Sequence, residues 1–306
     1  MNFIDLIFNI PLGFIQSFFL LLFIRPRIIF SKGGTGALPV TYAARILGIG
    51  VFIHESDASA GKSNQIAAAW AKKIFTSFLT TKLLPIANVT CVGNPIRKEI
   101  LEGNRDAAKA AFNLTFQKPI ILFLGGSQGA EAINNFIFLA LNNLLKDYEV
   151  IHVTGPKNFK KASDDARAVL DKNLEPYYHI VSSLDEIALK NAYAATDAIV
   201  SRAGAGSIFE IAALGKPSIL VPLPTSARNH QVENAYQYAK SGACIVIEQG
   251  NLTPNFFLGE LRLIVTRKEE MSQRALQFAK PEAAKNIAEE ILQYLENTTI
   301  ENDNTL

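Results

Sequence analysis

The chain has 306 residues, 49% of them hydrophobic and 19% charged, with a formal net charge of +2. That length allows two cores of about 150 residues each, and the near-neutral balance gives no broad basic field for nucleic acid. Cys91 and Cys244 have neither CxxC nor metal-ligand spacing, and His54, His152, His179 and His230 are scattered, so nothing reads as a zinc site.

The first distinctive element is the apolar run Phe14 to Ile24, which stops at Arg25-Pro26-Arg27. A membrane-spanning helix needs about 20 such residues, so a buried or interfacial helix is expected instead. No basic stretch precedes the run and no small-residue cleavage site follows it, which argues against a signal peptide. Arg25, Arg27 and Lys32 lie just beyond, and cations beside an exposed apolar face favour anionic head groups by about 1 kcal/mol each.

Ile28 to Ser31 reads as a short strand entering a glycine turn, Gly33-Gly34-Thr35-Gly36, followed by a helix from about Pro39 to Leu47. Val51 to Glu55 is a buried strand whose tip delivers His54, Glu55 and Asp57 to a loop. A helix over Ser63 to Ala71, a strand over Lys73 to Phe78 and a last strand ending in Gly93-Asn94-Pro95-Ile96-Arg97 complete this half. Alternating strands and helices argue a parallel α/β sheet.

Asn104 to Lys118 is polar and reads as the linker, and the apolar run Pro119 to Leu124 opens a second domain at a second glycine turn, GGSQGA. Helical spacing follows through Ile133, Phe136, Ile137, Ala140, Leu141 and Leu144. His152 reads as a hydrogen-bonded core histidine, and Asp164-Asp165 as solvated helix surface rather than a metal pair. Further strands are expected near His179, Ala198, Ser218 and Cys244.

The richest stretch is VSRAGAGSIFE, residues 200–210, where a strand meets glycines Gly204 and Gly206 and a helix opens near Ser207. Backbone N–H groups converge at such a junction, which suits a diphosphate. Glu210 has two readings. With Ser207 it has the S-x-x-E spacing of a capping box, closed by Gly215 at the far end; alternatively its carboxylate accepts from two vicinal ribose hydroxyls. Arg97 could equally pair with Glu99, Gln128 be a turn residue and Gln231 cap its own helix. After Lys280 a helix with Ala284, Ile287, Ala288, Ile291 and Leu295 on one face ends the ordered chain, and a polar tail follows.

In order, GGSQGA, SRAGAGSIFE, GKPSILVPLP and NHQVENA resemble the motifs of the MurG family, bacterial N-acetylglucosaminyltransferases that convert lipid I to lipid II. The resemblance implies a GT-B fold of two Rossmann-like, doubly wound domains, with the last helix crossing back to the first. The expected division is residues 1–115, then 116–279, the crossing helix 280–296 and a disordered tail 297–306. It implies inverting transfer of GlcNAc from UDP-GlcNAc to the MurNAc C4 hydroxyl, without cofactor or metal, at the cytoplasmic face of the membrane where lipid I lies.

By the same resemblance, the donor is bound by Arg97, Ser127, Gln128, Leu184, Arg202, Gly206, Ser207, Glu210 and Gln231, with Arg97 facing the nucleotide from the first domain. Gly33, Gly34 and Thr35 match the family's second glycine loop, on the acceptor side. No stretch matches the first such loop, with its histidine, so the N-terminal domain is expected to be incomplete, with a further segment or partner chain supplying the rest. Glu55 and Asp57 are then the candidate general bases. The alternative is a UDP-GlcNAc-binding subunit that is inactive without a separately encoded N-terminal piece.

Overall fold

The structure, a computed structural model, describes residues 9–84, 88–125, 131–226 and 229–303, with backbone only from 299. The chain forms two compact units, one of residues 1–95 and 280–306, the other of residues 96–279.

The first unit opens with α1 (Ile10–Ile24), which has Pro11 in its first turn and ends at Arg25 in the left-handed region. Strands β1 (Ile28–Ser31), β2 (Gly50–Glu55), β3 (Lys73–Thr76) and β4 (Val89–Cys91) form a parallel sheet in that order, with α2 (Ala37–Ile46) and α3 (Lys62–Ala67) in the connections. Every residue of β2 is buried, as a strand covered on both faces must be. Its alternation divides the core: Val51 and Ile53 pack with Ala43, Ala44 and Ala67 of α2 and α3, whereas Phe52 packs with Phe75, Val92 and Ile287. Among the described residues β1 pairs only with β2, and Phe30 on it is 41% exposed.

In the second unit a 3₁₀ turn (Lys98–Glu102) and α4 (Arg105–Phe112) precede β5 (Ile120–Leu124), α5 (Glu131–Asp147), β6 (Glu149–Val153), α6 (Phe159–Val169) and β7 (Tyr178–Val181). There follow α7 (Glu186–Ala195), β8 (Ala198–Ser201), α8 (Ala205–Ala213), β9 (Ser218–Leu220), α9 (His230–Ala239) and β10 (Cys244–Val246), then α10 (Pro254–Thr266) and α11 (Lys268–Phe278). The six strands are parallel in the order β10-β9-β8-β5-β6-β7, so the winding reverses between β5 and β8. Ligands of open α/β sheets bind outside the carboxyl ends of strands at such a reversal. On β5, Ile121 and Phe123 face a core shared with α5 and α10, while Ile120 and Leu122 face one shared with α4 and α7.

The unit boundary falls at Pro95, not near residue 115. The polar stretch Asn104 to Lys118, which reads as a linker, is fastened to the second unit: Asn191 Oδ1 accepts from the Asn104 N–H (2.9 Å), and just before it Ile100 is fully buried among Ile120, Leu122 and Tyr193. Glu149, fully buried, accepts from the N–H groups of Thr115 (2.7 Å) and Phe116 (3.0 Å).

The last helix, α12 (Ala283–Asp303), belongs to the first unit, where Tyr294 packs edge-on against Phe52 and Glu290 pairs with Lys73 at 2.9 Å. It runs well past Glu296, correcting the expectation of a disordered tail from residue 297. Polarity suggested disorder there, but Glu296 to Asp303 contains no glycine or proline to stop the helix. No helix among the described residues is long and apolar enough to cross a membrane.

Candidate active site

At the reversal point β8 ends at Ser201, and α8 begins after Gly204 as N-cap. The helix therefore starts two residues before Ser207. The capping box is excluded: Ser207 is the third helical residue, Glu210 lies a turn inside the helix, and no side chain caps its amino end. The N–H groups of Ala205, Gly206 and Ser207 are thus left without intrahelical partners, at the positive end of the dipole and with no acidic residue in that turn.

The glycines there are not explained by backbone strain. Gly204 has φ −68°, and a Cβ built on Gly204 or Gly206 meets nothing within 4 Å. Neither packing nor conformation demands glycine, whereas close approach of another molecule to the helix end would. Gly215, by contrast, has φ +61° and ends α8 as the sequence pattern suggests.

Glu210 projects from α8 into a forked ion pair. Arg97 Nε donates to Oε1 (2.9 Å) and Nη2 to Oε2 (3.1 Å), so the arginine's partner is Glu210 and not Glu99. This hydrogen bonding raises the Arg97 pKa above its ordinary value, against partial burial. Tyr193 of α7, buried beside Glu210, has its phenol pKa pushed up chiefly by burial and further by the carboxylate. Arg97 itself lies in the second unit, immediately before the 3₁₀ turn, which corrects its expected place in the first domain. Nothing in the local sequence pointed to Tyr193, because the fold alone brings α7 against α8's carboxylate.

The other expected donor residues sit on the same carboxyl edge with structural partners. The Arg202 guanidinium donates to the carbonyls of Val221 (3.0 Å) and Pro222 (3.4 Å) and to Gln249 Oε1 (2.9 Å), tying the β8 and β9 loops together. Gln231 Oε1 accepts from the Leu223 N–H (3.0 Å), so it braces the loop before its helix. Leu184 packs on the core just before Asp185, which caps α7 by accepting from the Ala188 N–H (2.8 Å). Ser127 and Gln128 lie outside the described residues.

In the first unit the β1–α2 turn carries Gly33 (φ +84°) and Gly34 (φ +89°), then Thr35. Gly33 is also pressed on Asn64, whose Oδ1 would lie 2.8 Å from a Cβ there. The Glu55 carboxylate at the tip of β2 is committed to its own loop, accepting from the N–H groups of Asp57 (3.0 Å) and Gly61 (2.9 Å) and from Asn64 Nδ2 (2.8 Å). Asp57 is half-buried. Burial lowers the pKa of the Lys32 ammonium, while Glu55 and Asp57 nearby oppose that shift. This site thus brings Gly33 to Thr35, Lys32, Glu55 and Asp57 to one end of the sheet. Among the described residues no group of three or more His, Cys, Asp or Glu is placed to hold a metal ion.

Residues 120–291 match the C-terminal domain model of glycosyltransferase family 28, and residues 1–76 match its N-terminal domain model. A relative from Clostridium kluyveri, described as UDP-N-acetylglucosamine–N-acetylmuramyl-(pentapeptide) pyrophosphoryl-undecaprenol N-acetylglucosamine transferase, is 33% identical over 94% of this chain and 79% of its own. A relative of the same description from Caldicellulosiruptor saccharolyticus is 36% identical over 92% of this chain and 77% of its own. Among solved structures, that of Acinetobacter baumannii MurG superposes with a TM-score of 0.75 at 26% identity, covering 94% of this chain and 80% of that one.

Proposed function

The chain belongs to glycosyltransferase family 28, and from that premise we propose that it transfers GlcNAc from UDP-GlcNAc to the MurNAc C4 hydroxyl of undecaprenyl-pyrophosphoryl-MurNAc-pentapeptide. The observation that carries this reading is the amino end of α8, whose glycines leave room over unpartnered N–H groups at the sheet's reversal point. A diphosphate seated there meets the helix dipole as leaving-group charge develops.

In this mechanism the acceptor hydroxyl oxygen attacks the anomeric carbon, the bond to the UDP oxygen breaks, and configuration inverts. UDP leaves with that electron pair, and the hydroxyl proton passes to a carboxylate. The two candidates are Glu55 and Asp57, and Glu55 would have to give up hydrogen bonds from its own loop to take the proton. Glu210 receives the ribose hydroxyls, Leu184 lies toward the uracil, and Gln231 holds the transferred sugar, a role that the motif resemblance also gives to Ser127 and Gln128. The turn Gly33-Gly34-Thr35, leading into the uncapped amino end of α2, serves the acceptor's pyrophosphate.

The place of reaction is the cytoplasmic membrane surface, and among the described residues no helix is long and apolar enough to span the membrane. Leu12, Ile15, Phe19 and Phe23 of α1 are exposed, Phe23 to 89%, with Arg25 and Arg27 following directly. Such a helix lies on lipid rather than through it.

The test is transfer of labelled GlcNAc from UDP-GlcNAc to a short-chain lipid I analogue. Disaccharide product with release of UDP is expected. Tight UDP-GlcNAc binding without product would favour the binding-subunit reading, and absence of UDP-GlcNAc binding would refute the donor site.

A further inference from the structure

The carboxylate assigned to the ribose is closed off. Glu210 is 12% exposed at its side chain, and the Arg97 side chain, whose guanidinium forks across its two oxygens, is 48% exposed, so Arg97 stands between Glu210 and solvent. Tyr193 flanks the carboxylate within the core. A ribose hydroxyl approaching from solvent therefore meets the arginine first.

The pair is preformed by the backbone that carries Arg97. Ile100 is fully buried in the second unit's core, and Asn104 is held by Asn191. A Cβ on Gly103 would collide with the Lys190 carbonyl, so only glycine lets this segment lie so close to α7. Gly206 and Glu210 are four residues apart on α8, on one helix face and roughly 6 Å apart along its axis. A phosphate at the helix end would thus lie within a side chain's reach of the guanidinium.

Resting on the reading of Glu210 as the ribose-binding group, we propose that Arg97 is a specificity-determining latch, which closes Glu210 in the empty site and is released only by a ligand whose phosphates take up its guanidinium. A bare nucleoside gives the carboxylate charge-assisted bonds from its hydroxyls but offers no anion to the displaced guanidinium, so half of the broken fork goes unreplaced. A diphosphate presents anionic oxygens that suit the planar donor fork. The difference between the two exchanges is what selects a ligand, since binding energy common to both selects nothing. The latch selects for nucleoside diphosphates and against the nucleoside alone.

Calorimetric titration of uridine, UMP and UDP into the full chain and into Arg97→Gln tests this, with melting curves to show that each variant is folded. Arg97→Gln should bind uridine about 3- to 10-fold more tightly and UDP about 10-fold or more weakly, with UMP between them. Arg97→Lys, a point charge without the fork, should fall between wild type and Arg97→Gln for all three. In a Glu210→Gln background the gain in uridine affinity should vanish, because there is no carboxylate left to close. If Arg97→Gln weakens uridine and UDP alike, or leaves the UDP-to-uridine ratio unchanged, the latch is refuted although the donor site stands. A wild-type chain that does not bind UDP refutes the donor site and the latch with it.

Discussion

Both units place a glycine turn at the carboxyl end of a parallel strand, and the glycines serve different ends. Gly33 and Gly34 have strongly positive φ angles, and Gly33 lies hard against Asn64, so their own fold requires them. Gly204 and Gly206 sit in open space, Gly204 with an ordinary φ, so what requires them is something that arrives from outside. The carboxylates follow the same division. Glu55 is satisfied by its own loop, whereas Glu210, beside the buried Tyr193, is covered on its outer side by a solvent-facing arginine that an anion can draw away. Glycine after a strand is thus required by the turn's own backbone in one unit and by room for a ligand in the other.

The largest effect that would sharpen this contrast belongs to Glu55. Glu55→Ala orphans donors in a buried loop, and a loss of about 3 kcal/mol in stability is expected from a thermal or denaturant melt. UDP-GlcNAc affinity should survive below the new melting point. Glu210→Ala should do the reverse, weakening UDP-GlcNAc about 10- to 150-fold by calorimetry, as lost charge-assisted hydrogen bonds do. Its melting temperature should fall less than that of Glu55→Ala, since Arg97 is then free to hydrate and only the Tyr193 hydroxyl loses a buried partner. A Glu210→Ala chain that melts early but binds normally would erase the distinction between the two carboxylates.

Acid should strain both units in the same direction. Burial lowers the pKa of His54 from 6.5 to about 4 and that of His152 to about 3. His152 is held neutral between Tyr178 Oη (2.7 Å) and Asn134 Oδ1 (2.9 Å), while His54 Nε2 donates to the Gly93 carbonyl (2.9 Å). The unfolded chain takes up these protons near pH 6.5 and the folded chain does not. Stability therefore falls as pH drops below 6.5, by at most about 1.4 kcal/mol per pH unit for each histidine, until the folded values are reached. Denaturant melts at pH 7, 6 and 5 measure it, and His152→Gln should flatten the slope. Stability that rose on acidification would contradict the burial of both rings.

Much of this organisation was legible in the sequence. Apolar runs such as Ile120 to Leu124 became buried parallel strands, and the four ordered motifs pointed to the family shown by the comparisons. Four physical features were not legible. A polar segment reads as a linker wherever its anchors are single residues, and Asn104 to Lys118 is anchored by Asn104, Thr115 and Phe116, with Ile100 and Gly103 just before it, rather than by any periodic pattern. The start of α8 was misplaced because Ser207 and Glu210 have capping-box spacing, although Gly204 takes the N-cap. Tyr193 carries no motif, since its role depends on α7 packing beside α8. The reason for a glycine is likewise invisible in its letter, because it depends on φ and on what a Cβ would touch.

The most direct test pairs one alanine in each turn. Gly33→Ala should cost about 1 to 3 kcal/mol of stability, because it forces a Cβ into a left-handed position and against Asn64. Gly206→Ala, in a helix with open space around it, should raise stability by up to about 1 kcal/mol, since alanine is the better helix former. If the end of α8 seats the diphosphate, Gly206→Ala should nevertheless weaken UDP-GlcNAc about 10-fold or more, because the methyl occupies the space over the first-turn N–H groups. Titration of UDP-GlcNAc into wild type and Gly206→Ala, each with its melting curve, is the deciding measurement. A variant that melts higher and binds more weakly is the predicted result, and one that melts higher and binds as well as wild type would contradict the account.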